Sequence, residues 1–286
     1  LLHLAVLGTL GWAVLGLLVA AIGVGVGLLT AVAVGLIWAH WFFVSLIAVA
    51  LSLGVVEVHR ALLRKNMRSS VTVIVAGTAI SIIGAWLIGH FDMGSPTAFA
   101  VACISGTVII SFCTHLAKGT DGFLRDMAAS SFIIAYIPVM GMFLGLLLGE
   151  SMGSLRFLTL ILCGVGSDTA AYAFGSLFGK HKMAPSISPG KTWEGLVGAL
   201  IFTAGLGVVC SVWILPIPWW VGLILGVLVA IAATIGDLVE SVIKREAGIK
   251  DMSNFLPGHG GVMDRLDSML FAVPVGWAVL HLVLGG

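Results

Sequence analysis

The chain has 286 residues, of which 59% are hydrophobic and 9% are charged, and its mean hydropathy is +1.16. Because a water-soluble domain carries roughly 25% charged residues on its solvated surface, this composition excludes a soluble globular domain and places the chain in a bilayer. The formal net charge of +1 excludes a basic surface that binds nucleic acid, and the 4 cysteines, all within apolar runs, exclude a disulfide scaffold.

Apolar runs long enough to cross a bilayer follow one another along the chain. A transmembrane helix needs about 20 mostly apolar residues. We find such runs near residues 20–38, 39–58, 72–89, 97–117, 128–148, 157–177, 194–214, 217–239 and 268–285. Residues 1–17 form a further apolar stretch, which is either one more span or a helix along the interface. The sequence therefore predicts an all-α, polytopic integral membrane protein with about nine transmembrane helices.

The basic residues between these runs gather on one side of the membrane. They fall in four loops, each separated from the next by two spans: Arg60, Arg64, Lys65 and Arg68; Lys118 and Arg125; Lys180, Lys182 and Lys191; and Lys244, Arg245, Lys250 and Arg265. The intervening loops contain only Arg156. Since short cytoplasmic loops carry the excess of lysine and arginine, we expect an inner- or plasma-membrane protein whose polar chemistry is cytoplasmic.

Charged residues are densest in the stretch 237–267, near the C-terminal end. One helix face, at spacings i, i+3, i+4 and i+7, carries Asp237, Glu240, Ser241 and Lys244 where the eighth span leaves the membrane. Asp264 and Asp267 open the last helix, whose N-terminal dipole favours anions. Carboxylates this close repel one another unless a cation neutralises them. Oxygen ligands of this kind, together with substrate phosphates, indicate Mg²⁺.

A glycine-rich turn, Leu256 to Gly261, lies between these acidic groups. Its glycines and proline predict a tight turn whose backbone amides approach a phosphate closely. A plain connecting turn is the alternative. We favour the phosphate interpretation because the turn is surrounded by cationic or titratable side chains, namely Lys244, Arg245, His259 and Arg265.

A second polar cluster occupies residues 167–195. Asp168 lies within an apolar run, where an acid is costly enough to indicate function; a helix-packing residue bonded to a nearby hydroxyl is the weaker alternative. Gly190, Lys191 and Thr192 resemble the end of a Walker A loop, but its first glycine would fall on Pro185, which excludes that loop. Ser188, Lys191 and Thr192 still precede a helix and are candidates to hold a phosphate.

Other polar residues are given simpler interpretations. Glu57 and the basic residues after it are expected to anchor the chain at anionic lipid headgroups. Asp126 is expected to be solvated, with a part in the site as the alternative, and His115 is expected to lie at the membrane interface. Glycine-rich helix faces permit close helix packing and are compatible with a homodimer.

Residues 241–268, S-V-I-K-R-E-A-G-I-K-D-M-S-N-F-L-P-G-H-G-G-V-M-D-R-L-D-S, resemble the signature of the phosphatidate cytidylyltransferases, also called CDP-diacylglycerol synthases. The signature has Ser, Lys-Arg, Lys-Asp, Pro-x-His-Gly-Gly and Asp-Arg-x-Asp, and each of these positions is met. The stretch from Ser167 to Gly195 is also similar to bacterial members of that family. The first hundred or so residues resemble the family only in being hydrophobic spans.

The resemblance implies a reaction in which CTP and phosphatidic acid give CDP-diacylglycerol and pyrophosphate at the membrane. We hypothesise that Asp237 and Asp264 hold the principal Mg²⁺, with Asp267 as a ligand or close neighbour, while Asp168 binds a second cation or orients the nucleotide. Further contacts to phosphate or substrate are expected from Ser188, Lys191, Thr192, Ser241, Lys244, Arg245, His259, Gly260, Gly261 and Arg265. We expect the catalytic residues to be Asp237, Lys244, Asp264 and Asp267.

Three other membrane functions are the alternatives, and the sequence lacks the motif that one of them requires. A membrane transporter would have a similar number of spans, but its polar residues usually lie near the midplane in two related halves. A CDP-alcohol phosphatidyltransferase would need a D-x-x-D-G-x-x-A-R pattern, which is absent from the sequence. A lipid or polyprenol kinase would differ in its nucleotide.

We divide the chain into N-terminal transmembrane helices, 1–127, and C-terminal helices that carry the site, 128–286.

Overall fold

The computed structural model describes residues 35, 39–255 and 260–285. Helices joined by short loops make up almost all of this part of the chain. In order they are α1 (His40–Leu63), α2 (Val71–His90), α3 (Pro96–Leu116), α4 (Phe123–Tyr136), α5 (Pro138–Gly149), α6 (Gly153–Phe178), α7 (Trp193–Trp213), α8 (Trp219–Ala247) and α9 (Met263–Leu284). A short antiparallel hairpin, β1 (Lys182–Ala184) and β2 (Ser188–Thr192), precedes α7.

Eight helical segments in the described residues are long and apolar enough to cross a membrane, with α4 and α5 counted together as Phe123–Gly149. The predicted runs from 39–58 to 268–285 each correspond to one of these segments, which confirms the all-α, polytopic fold class. The predicted run 128–148 is divided at Pro138, which has no amide hydrogen to continue the helix. The predicted run near 20–38 and the stretch 1–17 lie outside the described residues.

The spans place two sets of loops at opposite ends of the helices. We call the end that carries the loops 64–70, 117–122, 179–192 and 248–262 the near face, and the end that carries 91–95, 150–152 and 214–218 the far face. Helix α8 extends beyond the apolar run that ends near residue 239 and includes the predicted polar face as far as Lys244. At 1.5 Å per residue, Asp237 lies about 27 Å along α8 from its far-face start, so the acidic face emerges at the near face.

A buried apolar cluster joins both halves of the described chain. It contains Phe43 and Leu51 from α1, Ile133 from α4, Leu225 from α8 and Leu270 from α9. Apolar side chains on the outside of the bundle are highly exposed, as expected where lipid replaces water; examples are Ile109, Ile201, Val212 and Leu282. The predicted division between residues 127 and 128 falls inside α4 and remains a prediction.

Helices α7 and α8 pack backbone against backbone. A Cβ atom at Gly207 would collide with the carbonyl oxygen of Gly222, and one at Gly226 would collide with that of Thr203. Small residues at both positions let the two helices approach closely, which is the usual way in which membrane helices gain packing contacts. This antiparallel pair fixes the position of Asp237 relative to the hairpin that precedes α7.

The expectation that Asp126 is solvated was wrong, and His115, expected at the membrane interface, lies at the end of a span but is buried there. His115 is buried at the near end of α3, where its Nε2 lies 3.0 Å from Ser70 Oγ and 2.8 Å from Ser130 Oγ. Asp126 is also buried, and its Oδ1 accepts a hydrogen bond from the Arg68 backbone amide at 2.9 Å. Both side chains tie α2, α3 and α4 together. The partners are distant in sequence, so no local pattern indicated the burial.

Candidate active site

Three carboxylates meet where α8 and α9 cross at the near face. Asp237 and Glu240 lie on α8 and Asp267 lies on α9, and one oxygen of each falls within 4.8 Å of the others. The helices come together here because Gly236 has no side chain, and a Cβ at that position would collide with the Asp267 backbone carbonyl. Ser241 Oγ donates a hydrogen bond to Asp237 Oδ1 at 3.3 Å.

The donor set of this cluster fits a hard divalent cation. Glu240 has no exposed surface, and neither of its carboxylate oxygens accepts a hydrogen bond of good geometry within the described residues, although Oε2 forms an ion pair with Lys244. Buried acceptors without hydrogen bonds are rare, and each one needs a physical explanation. Three converging oxygen ligands satisfy the preference of Mg²⁺ for carboxylates. The cluster therefore has the composition of a magnesium site.

Asp264 has a different environment from its predicted partners. Its Oδ1 accepts from Lys244 Nζ at 2.9 Å, and its Oδ2 accepts from the backbone amides of Met252 and Gly261 at 3.0 and 2.7 Å. Lys244 thus connects Asp264 to Glu240. Asp264 holds the loop before α9 in place, beside the three-carboxylate cluster.

The two described glycines before α9, Gly260 and Gly261, pack against carboxylates of the chain itself. Gly260 has a φ of +81°, and a Cβ there would lie 2.9 Å from Asp264 Oδ2. At Gly261 a Cβ would lie 2.8 Å from both carboxylate oxygens of Glu57. The amide of Gly261 donates to Asp264 within the described structure, so its assignment to a substrate phosphate remains a prediction. His259 lies outside the described residues.

A cavity of about 610 Å³ lies next to the carboxylate cluster, between α6, α7, α8 and the hairpin. Asp168 from α6, Lys191 from β2 and Asp237 from α8 all line it. Lys191 Nζ lies 2.6 Å from Asp237 Oδ2 and donates to the Thr234 carbonyl oxygen at 3.3 Å. Apolar side chains such as Met183 and Leu196 line the cavity together with these charged groups, which suits a ligand with both charged and hydrocarbon parts.

The hairpin that covers this cavity is held at both of its ends. Thr192 Oγ1 accepts from the Gly195 amide at 3.1 Å and so caps the N-terminus of α7. Arg245 Nε donates to the Ile187 carbonyl oxygen at 3.1 Å, while Glu194 Oε1 lies 2.6 Å from His181 Nδ1. The hairpin was not anticipated from sequence, since its strands are short and polar.

The structure thus brings most of the predicted site residues to one place. Asp168, Ser188, Lys191 and Thr192 line the cavity. The acidic cluster and its surroundings contain Asp237, Ser241, Lys244, Asp264 and Asp267, and Arg265 lies between the last two in the first turn of α9. Glu240 had been placed on the correct helix face but assigned no role. Its i+3 spacing from Asp237 was the signal that could have identified it.

The interpretation of Glu57 as a headgroup anchor was wrong. Its side chain is buried on α1, and its Oε1 accepts from Ser253 Oγ at 2.5 Å and from the Val262 amide at 3.0 Å. Its Oε2 accepts from the Met263 amide at 2.8 Å. These partners are about two hundred residues away in the chain, so sequence spacing gave no indication of them.

Comparison with known proteins identifies the family of this chain. A model of the cytidylyltransferase family matches residues 19–283. The chain is 32% identical over 277 residues to a phosphatidate cytidylyltransferase of Mycobacterium bovis, covering 92% of this chain and 88% of the relative. A phosphatidate cytidylyltransferase of Staphylococcus saprophyticus is 35% identical over 225 residues, or 76% and 82% of the two chains. One from Mycobacterium leprae is 41% identical over 163 residues, or 57% and 52%.

The family model spans residues 19–283, which include the carboxylate cluster, the cavity beside it and the apolar spans. The chain therefore belongs to the cytidylyltransferase family and is a membrane-embedded nucleotidyltransferase.

Proposed function

We propose that the protein is a phosphatidate cytidylyltransferase, which transfers CMP from CTP to phosphatidic acid and so supplies CDP-diacylglycerol for phospholipid synthesis. The observation that carries the proposal is the meeting of Asp237, Glu240 and Asp267 beside a cavity that also contains Asp168 and Lys191. The relatives named above have this activity in their names, which supports the same choice of substrates.

The reaction joins two polyanions. A phosphate oxygen of phosphatidic acid attacks the α-phosphorus of CTP, a new P–O bond forms, and the bond to the β-phosphate breaks to release pyrophosphate. Catalysis then depends on positioning and on charge neutralisation, as in other phosphoryl transfers, and needs no protein nucleophile. The cationic side chains Lys191, Lys244, Arg245 and Arg265 supply that neutralisation from the protein.

Asp237, Glu240 and Asp267 would hold Mg²⁺, and Asp264 would fix the loop and Lys244 beside it. A bound Mg²⁺ would neutralise the triphosphate and favour departure of pyrophosphate. This assignment adds Glu240 to the predicted ligands and gives Asp264 a supporting part. Asp168, across the cavity from the cluster, would bind a second cation or orient the nucleotide.

The site would face the cytoplasm. The near-face loops contain Arg64, Lys65, Arg68, Lys118, Lys180, Lys182, Lys191 and Lys250, whereas the far-face loops contain no lysine or arginine. This asymmetry agrees with the excess of positive charge in cytoplasmic loops. CTP would then arrive from the cytosol and phosphatidic acid from the surrounding bilayer. The predicted homodimer remains a prediction.

The test is to incubate detergent-purified protein with phosphatidic acid and each of CTP, ATP, GTP and UTP, with and without Mg²⁺. We expect pyrophosphate and a CDP-lipid to form together, and only when both CTP and the divalent cation are present. Lipid phosphorylation by any nucleotide would favour a kinase. Absence of any reaction in folded, lipid-supplied protein would contradict the proposal and favour transport.

A further inference from the structure

Glu57 is a buried acid of the first described helix whose partners all belong to the site-bearing end of the chain. Its side chain spans from α1 to the start of α9 and satisfies the amides of Val262 and Met263. It also binds Ser253 in the preceding loop. The first amides of a helix have no partner within the helix, so Glu57 caps α9 from another helix.

The contact fixes the position of α9 closely. A negative charge at a helix N-terminus is favourable, and a Cβ at position 261 would lie 2.8 Å from both oxygens of the Glu57 carboxylate. Asp264 lies in the first turn that Glu57 caps, and Asp267 lies one turn further along the same helix. A shift of this turn would therefore displace both acids relative to Asp237 and Glu240 on α8.

We infer that Glu57 is a positioning residue for the reaction: by capping α9 it sets the distance between the α9 acids and the α8 acids. The inference rests on the proposed function. Among the described residues, Glu57 forms hydrogen bonds with Ser253, Val262 and Met263, none of which lines the cavity, so we assign its effect to the first turn of α9 and the loop before it.

The chain offers a matched control at the other end of the same helix. Glu150 is a partly buried acid at the far face, and its Oε1 accepts from Trp277 Nε1 at 2.8 Å and lies 2.7 Å from His281 Nδ1. Both acids therefore hold α9, one beside the site and one remote from it. Comparing Glu57→Gln with Glu150→Gln separates positioning of the site from general stabilisation of the helix.

The experiment uses the full chain in detergent and has two readouts. The first is hydrogen exchange of peptides that cover residues 260–266. In Glu57→Gln the amides should exchange faster by about tenfold, because a hydrogen bond to a charged group is lost, whereas Glu150→Gln should leave them unchanged. The second is the kcat for CDP-lipid formation and the Mg²⁺ concentration that gives half-maximal rate.

In Glu57→Gln, we expect kcat to fall and the half-maximal Mg²⁺ concentration to rise. The product of the two changes should be about 10- to 100-fold, as for other residues that orient metal ligands. Glu150→Gln should lower the unfolding temperature with both kinetic values unchanged per folded molecule. Should Glu57→Gln fail to fold, Ser253→Ala removes a single partner of Glu57 and should change the same values in the same direction, but less.

Unchanged kinetics and exchange in the folded Glu57→Gln protein, or equal changes in both variants, would overturn this inference and leave the proposed function standing. Absence of cytidylyl transfer by the wild-type protein would overturn the proposed function and, with it, the role of Glu57 in that reaction. The two failures are therefore distinguishable.

Discussion

At the scale of single residues, the acids around the site have two kinds of partner. Asp237, Glu240 and Asp267 face one another, and lysines pair with two of them, Lys191 with Asp237 and Lys244 with Glu240. Asp264 and Glu57 instead accept hydrogen bonds from backbone amides. The first kind is suited to binding a metal ion, and the second kind is suited to holding a loop and a helix end.

This difference predicts different consequences for two Asp→Asn variants. Asp237→Asn should lose at least about 100-fold in kcat, as expected when a metal-oriented charge is removed, with no loss of stability. Asp264→Asn should lose activity and also stability, by about 1–3 kcal/mol, because its amide nitrogen, a donor, would face either the Lys244 ammonium or the two backbone N–H groups. Initial rates and thermal unfolding in detergent measure the two effects.

Asp121→Asn is the control for this pair, because Asp121 is an exposed acid of the near-face loop 117–122. It should match the wild-type protein in both rate and unfolding temperature. Substantial activity in Asp237→Asn would remove that residue from the metal site, and an unaltered unfolding temperature in Asp264→Asn would contradict its role in holding the loop.

The residues that sequence could identify are those with local patterns. Asp237, Lys244, Asp264 and Asp267 were found from helical spacing and from their concentration in one stretch. Glu57 could not be found, since its contacts join segments separated by about two hundred residues and only the packing of α1 against α9 brings them together. The burial of Asp126 was not predictable for the same reason, because its partner Arg68 is also distant in sequence.

At the scale of elements, the α7–α8 pair offers a test of close helix packing. Gly207→Val should destabilise the protein by about 1–3 kcal/mol, because the new side chain would overlap the Gly222 backbone. Gly205→Val, two residues earlier on α7, should have little effect because nothing lies within 4 Å of a Cβ there. Denaturation in mixed detergent micelles compares them, and equal stabilities would contradict the close approach of the helices.

A second element-scale prediction concerns the far-face ion pair that joins α5, α6 and α9. Arg156 is completely buried; it pairs with Glu150 and donates to the Gly285 carbonyl oxygen at 2.8 Å. Arg156→Met should cost about 3–5 kcal/mol, since it leaves a buried carboxylate without its cation. Unfolding measurements should show partial recovery in the double variant Arg156→Met, Glu150→Gln. A single variant as stable as the wild type would contradict the pairing.

The elements were predictable where hydrophobicity sets their extent. The lengths of the apolar runs predicted the spans from residue 39 onward, because a helix needs about 20 mostly apolar residues to cross a bilayer. The apolar run ends near residue 239, but the helical spacing of Asp237, Glu240 and Lys244 predicted that the helix continues beyond it, and α8 ends at Ala247. The hairpin was missed because Ser188, Pro189 and Gly190 have low strand propensity and pair only through tertiary contacts.

At the scale of the whole molecule, the proposed orientation makes a prediction about labelling. A membrane-impermeant maleimide should label Lys250→Cys from the cytoplasmic side only and Asp92→Cys from the opposite side only, because these residues lie in near-face and far-face loops. The wild-type chain, with its own 4 cysteines, measures the background. Labelling of Lys250→Cys from outside intact cells would reverse the proposed orientation.

The central claim is that the cytidylyl group, and no other part of the nucleotide, is transferred to the lipid. The most direct measurement follows CTP labelled with ³²P at either the α- or the γ-phosphate, incubated with phosphatidic acid, Mg²⁺ and the purified protein. The account predicts α-label in the lipid product and γ-label in pyrophosphate. Transfer of the γ-label to lipid, or retention of both labels in soluble nucleotide, would contradict it.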